Sequence, residues 1–165
     1  MELNLLPILN FDGRKMQIKE DVQLEASEND TFSFISPVHF EGEAANVGGT
    51  IHLTGCGTVD IELMCDRCTE AFKATIEFEL DETLKKEDEV SSSEENPDTI
   101  LFSGTSVDFD ELLYTNFYMN LPSKTLCSED CKGLCPICGK NLNHEECNCS
   151  DNNTDPRFDI LDKLL

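Results

Sequence analysis

The stretch from Cys127 to Cys149, CSEDCKGLCPICGKNLNHEECNC, constrains this chain more than any other, because six of its nine cysteines fall inside these 23 residues. They are spaced Cys127-x3-Cys131-x3-Cys135-x2-Cys138 and then Cys147-x-Cys149, and a smaller pair stands far upstream at Cys65-x2-Cys68. Thiols grouped in this way hold disulfides, exchange electrons or bind a metal. The N-terminus, MELNLLPILNFDG, has neither a basic segment nor a long apolar run, so it does not read as a signal peptide. No stretch approaches the ~18 apolar residues that a membrane span needs. The expected location is the cytoplasm, where disulfides are rare and clustered cysteines bind metal or react.

Structural zinc takes four thiolate or imidazole ligands in a tetrahedron. A Cys-x2-Cys turn suits this, because two sulfurs reach one metal while nearby backbone N–H groups soften the thiolate charge. Cys135-Pro136-Ile137-Cys138-Gly139 is the strongest such signal, with Gly139 free to take the positive φ that such a knuckle often uses. Cys147 and Cys149 complete a four-sulfur set with it. Cys65 and Cys68, with Cys127 and Cys131, supply a second expected set that would join distant parts of the chain. Two other groupings stay open. One places a single metal on Cys127, Cys131, Cys135 and Cys138, and the other leaves Cys65 and Cys68 as a free dithiol. Cys56, between two glycines, reads as a small buried residue. His144 is an alternative ligand to Cys147 or Cys149 but reads better as an exposed loop histidine, and His39 and His52 read as structural or surface residues.

The length fits one domain with a small appendage: a β-rich core over residues 1–126 and a cysteine-rich tail over 127–165. Thr31–Glu43, Thr50–Met64 and Ala71–Leu80 alternate apolar and polar residues as strands do, and the last two flank Cys65–Cys68, which places that pair at the tip of a hairpin. Gly55 and Gly57 suggest a bulge or bend. Residues 81–98 carry eight acids and little apolar, and read as a mobile surface loop. Residues 106–120 read as a helix capped by Ser106 or Asp108, with Phe109, Leu112, Leu113 and Phe117 as its apolar stripe. Asp155 and Pro156 open a short last helix carrying Phe158, Leu161 and Leu165. The expected fold is α+β: an antiparallel sheet or partly closed barrel, a packed helix, and a C-terminal zinc-knuckle segment.

Charge and chemistry narrow the function. With 34 acidic residues against 12 basic ones the formal charge is −22. Affinity for a phosphate backbone comes chiefly from Lys and Arg, so naked RNA is not the expected partner, whereas a basic protein is. Catalytic zinc keeps an open position and usually has His or carboxylate ligands, but these sets close with sulfur. Thioredoxin-like chemistry wants its CxxC at a helix N-terminus, and here CDRC lies between strands. No enzyme activity is expected. The alternative is a thiol switch, in which oxidation ejects zinc from the tail.

The chain resembles the bacterial YceD family. The resemblance rests on CDRC followed by a strand, the acidic loop, DFDEL opening a helix, Leu121-Pro122, GLCPICGKNLN with the trailing CNC, and the terminal DPRFDIL. It implies a role in the accumulation of large-subunit ribosomal RNA, hence in ribosome biogenesis. It also implies that Cys65, Cys68 and Cys131 belong to the family's older site, because some members carry CxRC and a cysteine like Cys131 but lack the CPxCG and CxC part. The expected function is a non-enzymatic accessory factor with Zn2+ at two structural sites, whose partner is a basic ribosomal protein or a large-subunit assembly intermediate.

Overall fold

A computed structural model describes residues 1–27, 30–87 and 99–149. The described residues are mostly strand, with few helices. They divide into two compact units, residues 1–63 with 73–123, and residues 64–72 with 124–149. Among them no helix is long and apolar enough to cross a membrane.

The first unit opens with β1 (Glu2–Asn4) and the short α1 (Leu6–Leu9), followed by β2 (Lys15–Val22), β3 (Phe32–Phe34) and β4 (Val38–Val47). The long strands β5 (Thr50–Met64) and β6 (Ala71–Lys86) come next, then β7 (Thr99–Phe102), β8 (Ser106–Asp108) and α2 (Phe109–Met119). One six-stranded sheet runs β2-β4-β5-β6-β7, with β3 also paired to β5, and curls into a half-barrel. A second, two-stranded ladder pairs β1 with β8.

Alternation explains the register. In β4, Val38, Phe40, Ala44 and Asn46 are buried, and in β5, Ile51, Leu53, Val59, Ile61 and Leu63. Asn46 is the exception in kind, and its polar groups are all used. Its Nδ2 donates to the carbonyls of Ile8 and Leu9, each at 2.8 Å, and its Oδ1 accepts from the N–H of Gly49 at 3.0 Å, which fastens α1 to the sheet. The expected single strand over Thr31–Glu43 is broken in two. Pro37 lacks the N–H that a ladder needs, and the N–H groups of Ile35 and Ser36 both turn to the carbonyl of Asp60, at 3.0 and 3.4 Å.

Four other expectations are corrected. Gly55 and Gly57 form no bulge: the β4–β5 register runs without a slip from His39↔Thr58 to Val47↔Thr50. The glycines make room for rings instead. A Cβ on Gly55 would stand 2.4 Å from Phe40 Cζ, and one on Gly57 would stand 2.2 Å from Phe78 Cζ. Cys56 is exposed, because its two glycine neighbours take the inward positions of the strand. The sheet is not wholly antiparallel, since β6 and β7 pair in parallel from Thr83↔Thr99 to Lys86↔Phe102. Finally, Asp81–Lys86 is strand rather than loop, with Leu84 buried. The rest of the expected loop, from residue 88, and the expected last helix lie outside the described residues.

The helix expected over 106–120 begins three residues later, because Ser106–Asp108 pairs with β1. Asp108 caps it, its Oδ1 accepting from the N–H groups of Asp110 and Glu111 at 3.1 and 3.3 Å. Phe109, Leu112, Leu113 and Phe117 form its buried face. The Phe117 ring lies 5.2 Å from Phe32, 5.0 Å from Phe34 and 6.0 Å from Phe78, and Phe109 meets Phe40 edge-on at 5.2 Å. These rings close the core of the first unit.

Candidate metal centres

The second unit takes the turn between β5 and β6 and the chain from Lys124 onward. Its frame is a pair of CxxC turns built alike. The N–H of Cys65 donates to the carbonyl of Glu70 and that of Thr69 to the carbonyl of Cys65, both at 2.9 Å. In the later turn the N–H of Cys135 donates to Lys140 at 2.8 Å and that of Gly139 to Cys135 at 2.9 Å. The residue after the second cysteine has a positive φ in both, +73° at Gly139 and +57° at Thr69. A β-branched residue adopts that conformation only where its surroundings enforce it.

Thr125 stitches the tail to the first turn. Its N–H donates to Asp66 Oδ2 at 2.8 Å, its carbonyl accepts from the N–H of Asp66 at 2.8 Å, and its hydroxyl donates to the carbonyl of Met64 at 2.9 Å. This delivers Cys127 beside Cys65, whose Sγ accepts from the Cys127 N–H at 3.4 Å. Arg67 donates to the carbonyl of Cys131 at 2.9 Å.

The eight cysteines fall into two sets, Cys65, Cys68, Cys127 and Cys131, and Cys135, Cys138, Cys147 and Cys149, with all sulfurs of a set within 4.8 Å of one another. Cys131 and Cys135 therefore part company, and Cys65 and Cys68 do not stand alone as a dithiol. All nine cysteines are free thiols. In the first set Cys65 Sγ lies 3.8 Å from Cys131 Sγ, and Cys68 Sγ lies 3.7 Å from Cys127 Sγ. A regular tetrahedron of sulfurs at ~2.3 Å from a central zinc has edges of about 3.8 Å, so the donor set fits such an ion. His144 joins neither set; its Nε2 lies 2.9 Å from Glu70 Oε1.

The two sets differ in cover. Cys65, Cys68 and Cys131 are 1–3% exposed, with Phe72 and Leu126 packed against them, and Cys127 alone of that set is exposed. In the second set Cys135 is buried, Cys147 half-buried, and Cys138 and Cys149 are exposed.

Local electrostatics repeat in both sets. The first cysteine of each CxxC is the acidic one. N–H groups of Cys127 and then Cys68 bring Cys65 down to about 6, and those of Cys138 and then Ile137 do the same for Cys135. Cys131 is lowered chiefly by the amide of Asn143. Conversely, neighbouring sulfur pushes Cys127 up to about 12 through Cys131, and Cys149 up to about 12 through Cys138. Four thiolates cannot share so small a volume without a cation.

A metal entering at neutral pH must therefore expel protons from Cys127 and from Cys68, whose thiol is also raised, in the first set, and from Cys149 in the second. Apparent affinity is expected to rise with pH, up to ~10-fold per unit for each proton displaced, and the dependence is expected to steepen below pH ~6, where Cys65 and Cys135 also hold protons. Chelator competition at several pH values checks this; an affinity flat with pH would exclude these thiols as the ligands.

Among the supporting residues, Thr69, Arg67 and Asn143 escaped the sequence reading. Thr69 lacked the glycine that marks Gly139. Asn143 carried only a weak signal, the turn-prone NLN between the two halves of the second set.

A mostly β-sheet chain with two sulfur sets able to hold metal ions is thus the class that fold and site define. Residues 53–165 match the family model described as "Large ribosomal RNA subunit accumulation protein YceD", and the chain belongs to that family. The match begins within β5 and takes in all eight clustered cysteines. The family description implies a part in the accumulation of large-subunit ribosomal RNA. Comparison with curated proteins and with solved structures finds no match.

Proposed function

We propose that this protein is a non-enzymatic accessory factor for large-subunit ribosomal RNA, with one structural Zn2+ in each cysteine set and a basic ribosomal protein as its direct contact. It acts in the cytoplasm. The observation that carries the metal reading is the pair of closed four-sulfur sets. Cys65, Cys68, Cys127 and Cys131 would hold one ion, and Cys135, Cys138, Cys147 and Cys149 the other. Bound there, zinc supplies folding free energy rather than an open coordination position. The fold would then be an α+β core with a zinc-knuckle segment.

The partner reading rests on the formal charge of −22, which favours a basic protein over phosphate. Two purified probes test it: total large-subunit ribosomal proteins and protein-free large-subunit RNA. The expected result is capture of a basic ribosomal protein that weakens steeply with salt and survives nuclease. Salt-insensitive binding to the RNA alone would overturn it.

A second reading is favoured by one observation, the acidic thiols Cys65 and Cys135 with other sulfurs beside them. In a switch, two thiolates would give two electrons to a peroxide, forming one disulfide and two hydroxides and releasing the metal. Thiol titration decides. Eight thiols that react only after chelation support the structural reading, and a fast-reacting pair in the loaded protein supports the switch.

A further inference from the structure

Residues Asn141–Glu145 lie in sequence between the two halves of the second cysteine set, yet their contacts reach the first. Asn143 Nδ2 donates to Cys131 Sγ at 3.3 Å, and Asn143 Oδ1 accepts from the N–H of Lys132 at 2.8 Å. Both ends of one amide are thus engaged around a sulfur of the first set. His144 Nε2 stands 2.9 and 3.2 Å from the two oxygens of Glu70, and Glu70 Oε2 accepts from Cys68 Sγ at 3.8 Å.

Backbone contacts make the same connection. The N–H of Leu142 donates to the carbonyl of Gly133 at 2.9 Å, and that of Leu134 to Arg67, inside the first CxxC turn, at 3.0 Å. Gly133 has φ +73°, and a Cβ there would stand 3.0 Å from the carbonyl oxygen of Arg67. A side chain at this crossing point would strain the backbone and press on Arg67.

The loop that presents Asn143 and His144 is closed at its ends by Cys138 and Cys147. A metal in the second set would fix those ends, and with them the donor that steadies Cys131. Without it, the conformational entropy of holding the loop in this arrangement is offset only by a few exposed turn contacts, such as the N–H groups of His144 and Glu145 on the carbonyl of Asn141.

Resting on the reading of both sets as metal centres, we propose that the two centres load cooperatively and that Asn143 is the positioning residue through which the second strengthens the first. An N–H donor to a ligating sulfur spreads thiolate charge and fixes the ligand's direction. Removing such outer partners typically weakens metal affinity about 10- to 100-fold. Coupling between binding sites is reciprocal, so the first centre must strengthen the second by the same factor.

The test uses the full chain, with Co2+ as a coloured probe, Zn2+ affinity by chelator competition, and alkylation of each cysteine read by mass spectrometry to assign protection to a set. Disabling the second set with Cys138→Ser and Cys149→Ser is expected to weaken the first about 10- to 100-fold. Asn143→Ala, with both sets intact, is expected to weaken the first set by a similar factor. The two changes together should go no more than about threefold beyond the larger single effect, as for sites acting through one link. In a chain lacking Cys65 and Cys68, Asn143→Ala should leave the second set's affinity within about threefold, which separates coupling from misfolding of the loop.

First-set affinity that stays within threefold after the second set is disabled, or effects of the two changes that multiply, would overturn the coupling. If the disabled chain binds no metal at all, Asn143→Ala alone decides: weakening of both sets by a similar factor supports the proposal, and a weakened first set with the second unchanged, or two unchanged sets, overturns it. Absence of any thiolate–Co2+ absorption in the unaltered chain would overturn the metal reading itself, and the coupling with it. That outcome is distinct from two coloured centres that ignore each other.

Discussion

Stripping both metals with a chelator is expected to erase the amide hydrogen-exchange protection of residues 64–72 and 124–149 while Leu53, Val59 and Leu113 stay protected. The buried apolar side chains explain the asymmetry. In the first unit they are Leu, Ile, Val, Phe and Ala, contributed mainly by the strands and α2. Among the described residues of the second unit they are Cys65, Cys68, Cys131 and Cys135 alone. Phe72 and Leu126, only partly buried, add little hydrophobic driving force.

A structural zinc supplies an apparent ~10–16 kcal/mol at neutral pH, so two of them outweigh every other stabilising contribution in this segment. Adding metal back should restore protection at Leu134, Cys135, Gly139 and Leu142, whose N–H groups build the later turn and its flank. Protection that survives chelation across residues 124–149 would mean that the turns hold without an ion, and would remove the folding role assigned to it.

The second large effect belongs to the first unit. Phe117→Ala is expected to destabilise it by about 3–5 kcal/mol, the usual cost of emptying a buried phenylalanine site. Phe117 is wholly buried, and its ring meets those of Phe32, Phe34 and Phe78. Edge-on aromatic pairs add about 0.5–1.5 kcal/mol each beyond area burial. The three partners come from β3 and β6, held in their places by backbone pairing, so the site cannot collapse cheaply. Urea unfolding followed by a probe in the sheet measures it. A midpoint shift worth less than about 1 kcal/mol would show that α2 is not the element that seals this core.

Which parts of this were legible in the sequence follows from how local each signal is. Strands β4, β5 and β6 announced themselves because Phe40, Ile51, Leu53, Ile61 and Phe78 alternate with polar residues over long runs. The turn at Cys65–Cys68 followed from the strands on either side. By contrast β2, KMQIKEDV, buries only Ile18 and Val22 against a charged background, as an edge strand can. The parallel pairing of β7 with β6 is non-local and leaves no mark in TILF itself.

For Cys56 residue type suggests burial, whereas its side is set by parity along the strand: Gly55 and Gly57 face the rings, so the residue between them cannot. Division of the eight cysteines into these two sets was one of several groupings that spacing permits. What selects it is Thr125 bonding back to Met64 and Asp66, a contact across some sixty residues that no local pattern carries.

The unequal cover of the two sulfur sets has a consequence in time. A chelator or an acceptor protein reaches an ion by replacing its ligands one at a time, beginning with whichever sulfur water already touches. The second set offers two such sulfurs, Cys138 and Cys149, whereas the first offers only Cys127 beside the shielded Cys65, Cys68 and Cys131. Ions held here would leave at unequal rates, the one in the second set faster, because twice as many of its sulfurs meet water.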